Sequence, residues 1–138
     1  MKHIAAAVLL FAPVAASAAI KPGVLDVPNV SQPDAIARIA ADCAANGKEV
    51  AGQNDSNISC TRPPTGESAV LCKALFFTPQ CPDTARDVWH FAVTPTANGV
   101  KIQYMQSVYK EPGKERAYAG AGKNGFEPQL REIFPEAQ

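Results

Sequence analysis

An excess of either charge is missing from this chain: thirteen Lys and Arg stand against thirteen Asp and Glu. A surface without a basic surplus gives no electrostatic footprint for nucleic acid or an anionic membrane. Histidine is scarce too, with only His3 and His90, so general acid–base chemistry has one candidate outside the first few residues. No G-x-S-x-G elbow is present to place a nucleophilic serine. Gly120-Ala121-Gly122-Lys123-Asn124 fails as a phosphate loop, because Ala117 stands where the first Gly belongs and Asn124 where Ser or Thr belongs. Cys72, Cys81 and His90 match none of the usual short-spaced zinc ligand pairs. Long apolar runs are limited to one near the start, and no second stretch approaches a membrane span. Internal repeats are lacking as well.

What is present begins with that single apolar run. Lys2 and His3 precede Ile4 to Val14, and Ala16-Ser17-Ala18 follows as a small-residue cleavage pattern. This order predicts a secretory signal peptide over residues 1–18, a periplasmic or secreted location, and no membrane span. Loss of Lys2 with the leader leaves a mature chain of one net negative charge. No cysteine stands at the cleavage site to accept a lipid.

Export brings four cysteines, Cys43, Cys60, Cys72 and Cys81, into an oxidising compartment. Three pairings are open to them. Cys43 shares a helical stripe with Ile36, Ile39 and Ala40, and Cys60 alternates with Ile58 in a strand, so both point inward. That favours Cys43–Cys60, and with it Cys72–Cys81, which ties a helix to the loop after it. The plainer alternative is four buried free thiols.

Residues 19–33 read as an extended N-terminal segment, with Pro22, Pro28 and Asn29 and no helical period. Residues 34–138 read as one domain. Ser31-Gln32-Pro33-Asp34 predicts a helix start and Asn46-Gly47 its end. Lys48 to Gln53 and Asn57 to Arg62 flank the turn Asn54-Asp55-Ser56 as a short hairpin. Both Asn54-Asp55-Ser56 and Asn57-Ile58-Ser59 match glycosylation acceptors, which are read as chance matches within the turn. A second helix opens at Thr65-Gly66-Glu67-Ser68, with Thr as cap, and ends before Thr78-Pro79. The strongest strand carries Trp89, Phe91 and Val93 on one face and His90 on the other. It turns at Asn98-Gly99 into Val100 to Tyr109. Lys110 to Arg116 reads as a charged loop, Ala117 to Gly125 as irregular chain, and Phe126 to Phe134 as a last helix. The sum is an α+β fold: a disulfide-stapled antiparallel sheet of about four strands, in two hairpins, with helices packed on one face.

The pieces "AANGKEV", "VAGQNDSNISCTRP", "GESAVLCKALFFTP" and "DVWHFAVTPTANGVKIQYMQSVY", followed by a helical end, span most of the mature chain. Their order resembles small exported proteobacterial and prophage-associated proteins, largely uncharacterised, many of them lipoproteins. That resemblance implies no catalytic residues, and the lipobox cysteine of the lipoprotein members is missing here.

With no catalytic, metal or cofactor constellation in the pattern, the expectation is a non-enzymatic protein that binds another protein or an envelope component. Two alternatives are carriage of a small apolar ligand on a surface formed by Trp89, Phe91 and Tyr104, and inhibition of a periplasmic hydrolase by the stapled loop from Cys72 to Cys81. His90 is expected as a sheet-face residue, and Asp83, Arg86 and Asp87 as a solvated charged loop.

Overall fold

A computed structural model describes residues 20–119 and 126–138. The expected leader and the glycines Gly120, Gly122 and Gly125 lie outside them. The elements run β1 Gly23–Pro28, α1 Gln32–Ala45, β2 Glu49–Gln53, β3 Asn57–Arg62, α2 Glu67–Phe76, β4 Arg86–Pro95, β5 Gly99–Tyr109, β6 Glu115–Ala119 and α3 Glu127–Ile133. Every strand pairing is antiparallel. The fold is therefore α+β, with three helices on an antiparallel sheet and two disulfides, Cys43–Cys60 and Cys72–Cys81.

The sheet has six strands rather than about four, in the order β1-β5-β4-β3-β2 with β6 also on β5. Both extra strands use the outer edge of β5. Strand β1 takes Gly99 to Tyr104, and β6 takes Gln106 to Tyr109, with a register shift at Gln106/Ser107. A strand of 11 residues is long enough to seat two short partners end to end. Within the expected extended segment, Leu25 and Val27 enter the core while Val24 and Asp26 point to the other face. The expected charged loop ends early, because pairing with β5 draws Glu115 and Arg116 into β6.

Local signals explain most boundaries. Ser31 Oγ accepts the Asp34 N–H at 3.2 Å, and Pro33 sits in the first turn of α1. Beyond Asn46, Gly47 takes φ 71°, which releases the chain toward β2. Helix α2 is capped differently from expectation: Gly66 holds the cap position, and the Thr65 backbone, not its side chain, bonds Ser68. Alternation in β4 and β5 sends Trp89, Phe91, Val93, Val100, Ile102 and Tyr104 to one face. There they meet α1 through Ile36, Ile39 and Cys43, and the C-terminal segment through Phe126, Leu130 and Phe134. Helix α2 covers the far end of the same face, over Val108 and Ala85. Among the described residues, no helix lies on the opposite face of the sheet.

Candidate functional site

Three places in this frame carry more than packing. The first is the helix-free face. There Ser59, His90 and Met105 form one cross-strand row, and Thr61, Val88 and Ser107 the next. The His90 imidazole joins two oxygens: Ser59 Oγ lies 2.8 Å from Nδ1, and the Glu115 carboxylate meets Nε2. A carboxylate only accepts, so Nε2 carries a hydrogen; Nδ1 accepts from the Ser59 hydroxyl when the ring is neutral and donates to it when the ring is protonated. Ser107 donates its hydroxyl to the same Glu115 oxygen. The His90 hydrogen bond holds the Glu115 carboxyl below its ordinary range, with Ser107 helping and burial opposing.

This is the bond order of a serine–histidine–carboxylate relay. Hydrolysis would also need donors aimed at a developing oxyanion. Ser59 and His90 stand in mid-strand between paired neighbours, where backbone N–H groups are spent on the sheet ladder. A shallow hollow of about 200 Å³ adjoins them, with Asn57, Ala92, Gln103 and Met105 on its walls. The relay therefore joins Ser59, His90, Glu115 and Ser107 on the helix-free face.

Its stability contribution has a defined pH sign. A carboxyl whose folded value is depressed stabilises above its unfolded value, near 4.3, and loses that contribution as pH falls through the folded value. Glu115→Gln is therefore expected to cost about 1 kcal/mol or less at pH 7, because both partners are partly exposed. The gap between variant and parent should close in acid. Urea unfolding of both proteins from pH 3 to pH 7 checks this, and a gap that widens toward low pH would contradict the relay.

The second place is the aromatic core. Trp89, Phe91 and Tyr104, expected to form an apolar ligand surface, are buried. Phe126 seals two of them, its ring centroid 6.4 Å from Trp89 and 5.5 Å from Phe91. The Tyr104 ring lies across Gly23 of β1, leaving no room there for a side chain. These rings are core because their strand face is the one the helices cover. Two cations reach the same rings: Lys48 Nζ lies 4.4 Å from the Trp89 centroid and 4.8 Å from that of Phe126, and Arg62 Cζ lies 5.0 Å from Trp89. Asp87, expected on a solvated loop, is 0% exposed instead. Register places it opposite Arg62 and Val108 on the core face, where Oδ1 accepts the Tyr118 hydroxyl at 2.9 Å. Burial and the neighbouring carboxylate push the Tyr118 hydroxyl up, so it stays protonated as the donor.

The third place is the stapled tip of α2. The Thr78-Pro79 step disfavours further helix, and Phe77 closes it in the left-handed region at φ 53°, ψ 44°. The N–H groups of Phe77 and Thr78 both reach the Lys73 carbonyl. Cys72–Cys81 clamps the two ends of this turn. From behind, Arg116 donates to the Leu75 carbonyl at 3.1 Å and lies 5.5 Å from the Phe76 ring centroid. Leu75 and Phe76 pack inward with Cys72, while Phe77 is 91% exposed and Val70 63% exposed. A bulky residue at positive φ costs about 1–2 kcal/mol and persists only where its surroundings over-determine it. Sequence patterning saw the staple. It could not see which of the two adjacent phenylalanines would point outward, since that depends on the helix ending between them.

Among the described residues, no group of His, Cys, Asp and Glu is placed to hold a metal ion, and no helix is long and apolar enough to cross a membrane. Comparison with protein-family models, curated proteins and solved structures finds no match to this chain.

Proposed function

We propose that this is an exported, disulfide-braced recognition protein, periplasmic or secreted and without catalysis of its own, that binds a protein of the envelope through the tip at Phe77. The observation that carries the reading is a strained, almost fully exposed aromatic on a turn clamped by Cys72–Cys81. Pre-organisation lowers the ordering cost of binding, and buried aromatic anchors dominate interface energies. Lys73, Arg86, Lys110 and Arg116 stand on or next to the elements around this tip together with Asp83 and Glu111, so the matching partner surface is an apolar pocket with a polar rim of mixed charge. The cleft of a hydrolase is one such pocket, and the stapled loop supports inhibition as a second reading. Two disulfides support the oxidising location. An apolar carrier finds less support, since Trp89, Phe91 and Tyr104 are sealed.

Phe77→Gly separates recognition from folding. Glycine suits the left-handed cap, so the variant is expected to be as stable as the parent, or about 0.5–1 kcal/mol more so. A photo-crosslinking side chain at position 77 should label one protein reproducibly, and the purified partner should bind Phe77→Gly about thirtyfold or more weakly. Equal affinity of parent and variant would remove the tip from the interface.

A further inference from the structure

Strand β2 is an outer strand of the sheet: one edge pairs with β3, and among the described residues the other takes no backbone partner. All five of its residues are exposed, and an open strand edge is a template for a further strand. Beside the end of β2 runs a groove of about 660 Å³, with Pro33, Ile36 and Ala37 of α1 on one wall and Gln53, Asn54 and Asp55 on the other. The register shift between Val50 and Gly52 sets Val50 opposite Cys60 and Gln53 opposite Ile58, so both turn to the α1 side of the sheet. A strand edge alongside a helix flank suits an extended peptide: its backbone adds to the edge and its side chains fill the groove.

Charge and hydrogen-bonding groups select the segment. Gln32, also on the wall, donates an amide N–H to the Val93 carbonyl at 2.8 Å, and its oxygen makes no bond among the described residues. Asn54 Oδ1 accepts the Ser56 and Asn57 N–H groups at 2.9 and 2.8 Å, which fixes the turn that carries Asp55. The Asp55 carboxylate is exposed and without an ion pair among the described residues. Helix α1, β2 and this turn carry Asp34, Asp42, Glu49 and Asp55 against Arg38, which Asp34 and Glu136 already hold. Lys48, just before β2, keeps its ammonium against the Trp89 and Phe126 rings. We propose that the β2 edge and this groove receive an extended protein segment bearing a Lys or Arg side chain, added to the sheet as an outer strand. The segment's backbone pairs with β2, and its cation enters the groove toward Asp55 and the Gln32 oxygen. The irregularity at Val50/Gly52 limits pairing to a few residues, so the cation supplies the selectivity. Neither α1 nor β2 belongs to the Phe77 tip, so either surface can fail without the other.

The probe is the acetylated, amidated peptide Thr-Val-Thr-Arg-Thr-Val-Thr, titrated into the isotope-labelled, oxidised protein at low ionic strength. Saturable amide shifts and slowed hydrogen exchange are expected in β2 and the turn from Asn54 to Ser56. A peptide with Glu in place of Arg, and one with alternate backbone nitrogens methylated to block strand pairing, should each bind about tenfold or more weakly. Asp55→Lys reverses the charge on an exposed turn and should weaken the Arg peptide about tenfold. Ala37→Lys places a cation on the opposite wall and should weaken it several-fold. Both positions are exposed, so the melting temperature of each variant should match that of the parent. Phe77→Gly should bind the peptide as the parent does. No saturable shift at millimolar peptide, shifts centred away from β2, or equal binding by the Glu peptide, the methylated peptide or Asp55→Lys would overturn the proposal.

Discussion

Replacing Cys43 and Cys60 together by alanine is expected to lower stability by about 3 kcal/mol and the melting temperature by about 10–20 °C. The closed segment has a sequence separation of 17, which in the chain-entropy account is worth about 3 kcal/mol. Both sulfurs are also core atoms, the residues being 1% and 0% exposed, so truncation opens space beneath α1 as well. Cys43 stands in the last helical turns of α1 and Cys60 on β3, and the bond holds that helix to the strand beside the β2 edge of the sheet. The pair Cys72 and Cys81 should behave otherwise. Its loop is shorter, with a separation of 9, and it braces a satellite cluster, so its removal should leave the main transition nearer the parent while loosening the Phe77 tip. Thermal melts followed by circular dichroism, with thiols counted beforehand, distinguish the two. A melting temperature within about 3 °C of the parent for the Cys43/Cys60 variant would mean that the bond does not organise the core.

Much of this frame is readable in the residues themselves. The stripe Ile36, Ile39, Ala40 and Cys43 and the alternation Trp89, Phe91, Val93 each report a local period, and local period is what sequence carries. Strand β1 was also legible in principle, since Leu25 and Val27 alternate with Val24 and Asp26, but Pro22 and Pro28 at its ends suggest loop more strongly. Strand β6 was not. Glu115-Arg116-Ala117-Tyr118-Ala119 has little strand propensity and is extended because half of the outer edge of β5 would otherwise lack a partner. The sites follow the same division. The Cys72–Cys81 staple is a matter of neighbours in sequence. The His90 relay and the cations over Trp89 depend on β3 lying against β4 across a helical connection, a register that no local pattern announces. Asp87 shows the cost of reading charge locally: with Asp83 on the far side of Arg86 it looks solvated, whereas strand parity alone assigns it to the face of Trp89.

The C-terminal segment is where stability and site meet, and Phe134→Ala is expected to cost about 3–5 kcal/mol. Helix α3 has seven residues, too few to persist without tertiary contacts. Its hold is the side-chain set Phe126, Leu130 and Phe134, of which the last two are 0% exposed. Phe134 also lies under Arg38 of α1, 5.6 Å from Cζ to the ring centroid, and Arg38 makes a two-oxygen contact with Glu136 at 2.7 and 2.9 Å. That bond raises the Arg38 guanidinium above its ordinary value, burial opposing. The Gln138 N–H then reaches the Asp26 carbonyl of β1. Removing the Phe134 ring therefore opens a cavity and also releases the segment that seats Phe126 over Trp89 and Phe91. Against a total of about 5–15 kcal/mol for a domain, the loss brings the chain near its unfolding threshold. Arg38→Met is the informative partner substitution: it removes the Glu136 bond, along with the Asp34 ion pair one turn back in α1, but keeps contact with the ring, and should cost about 1–2 kcal/mol. Because both changes act through the same segment, their combination should cost less than the sum of the two. Urea unfolding with Trp89 fluorescence reads this directly. Strict additivity would show that the ring and the Arg38–Glu136 bond hold the fold independently, and would separate the cover over Trp89 from the end of the chain.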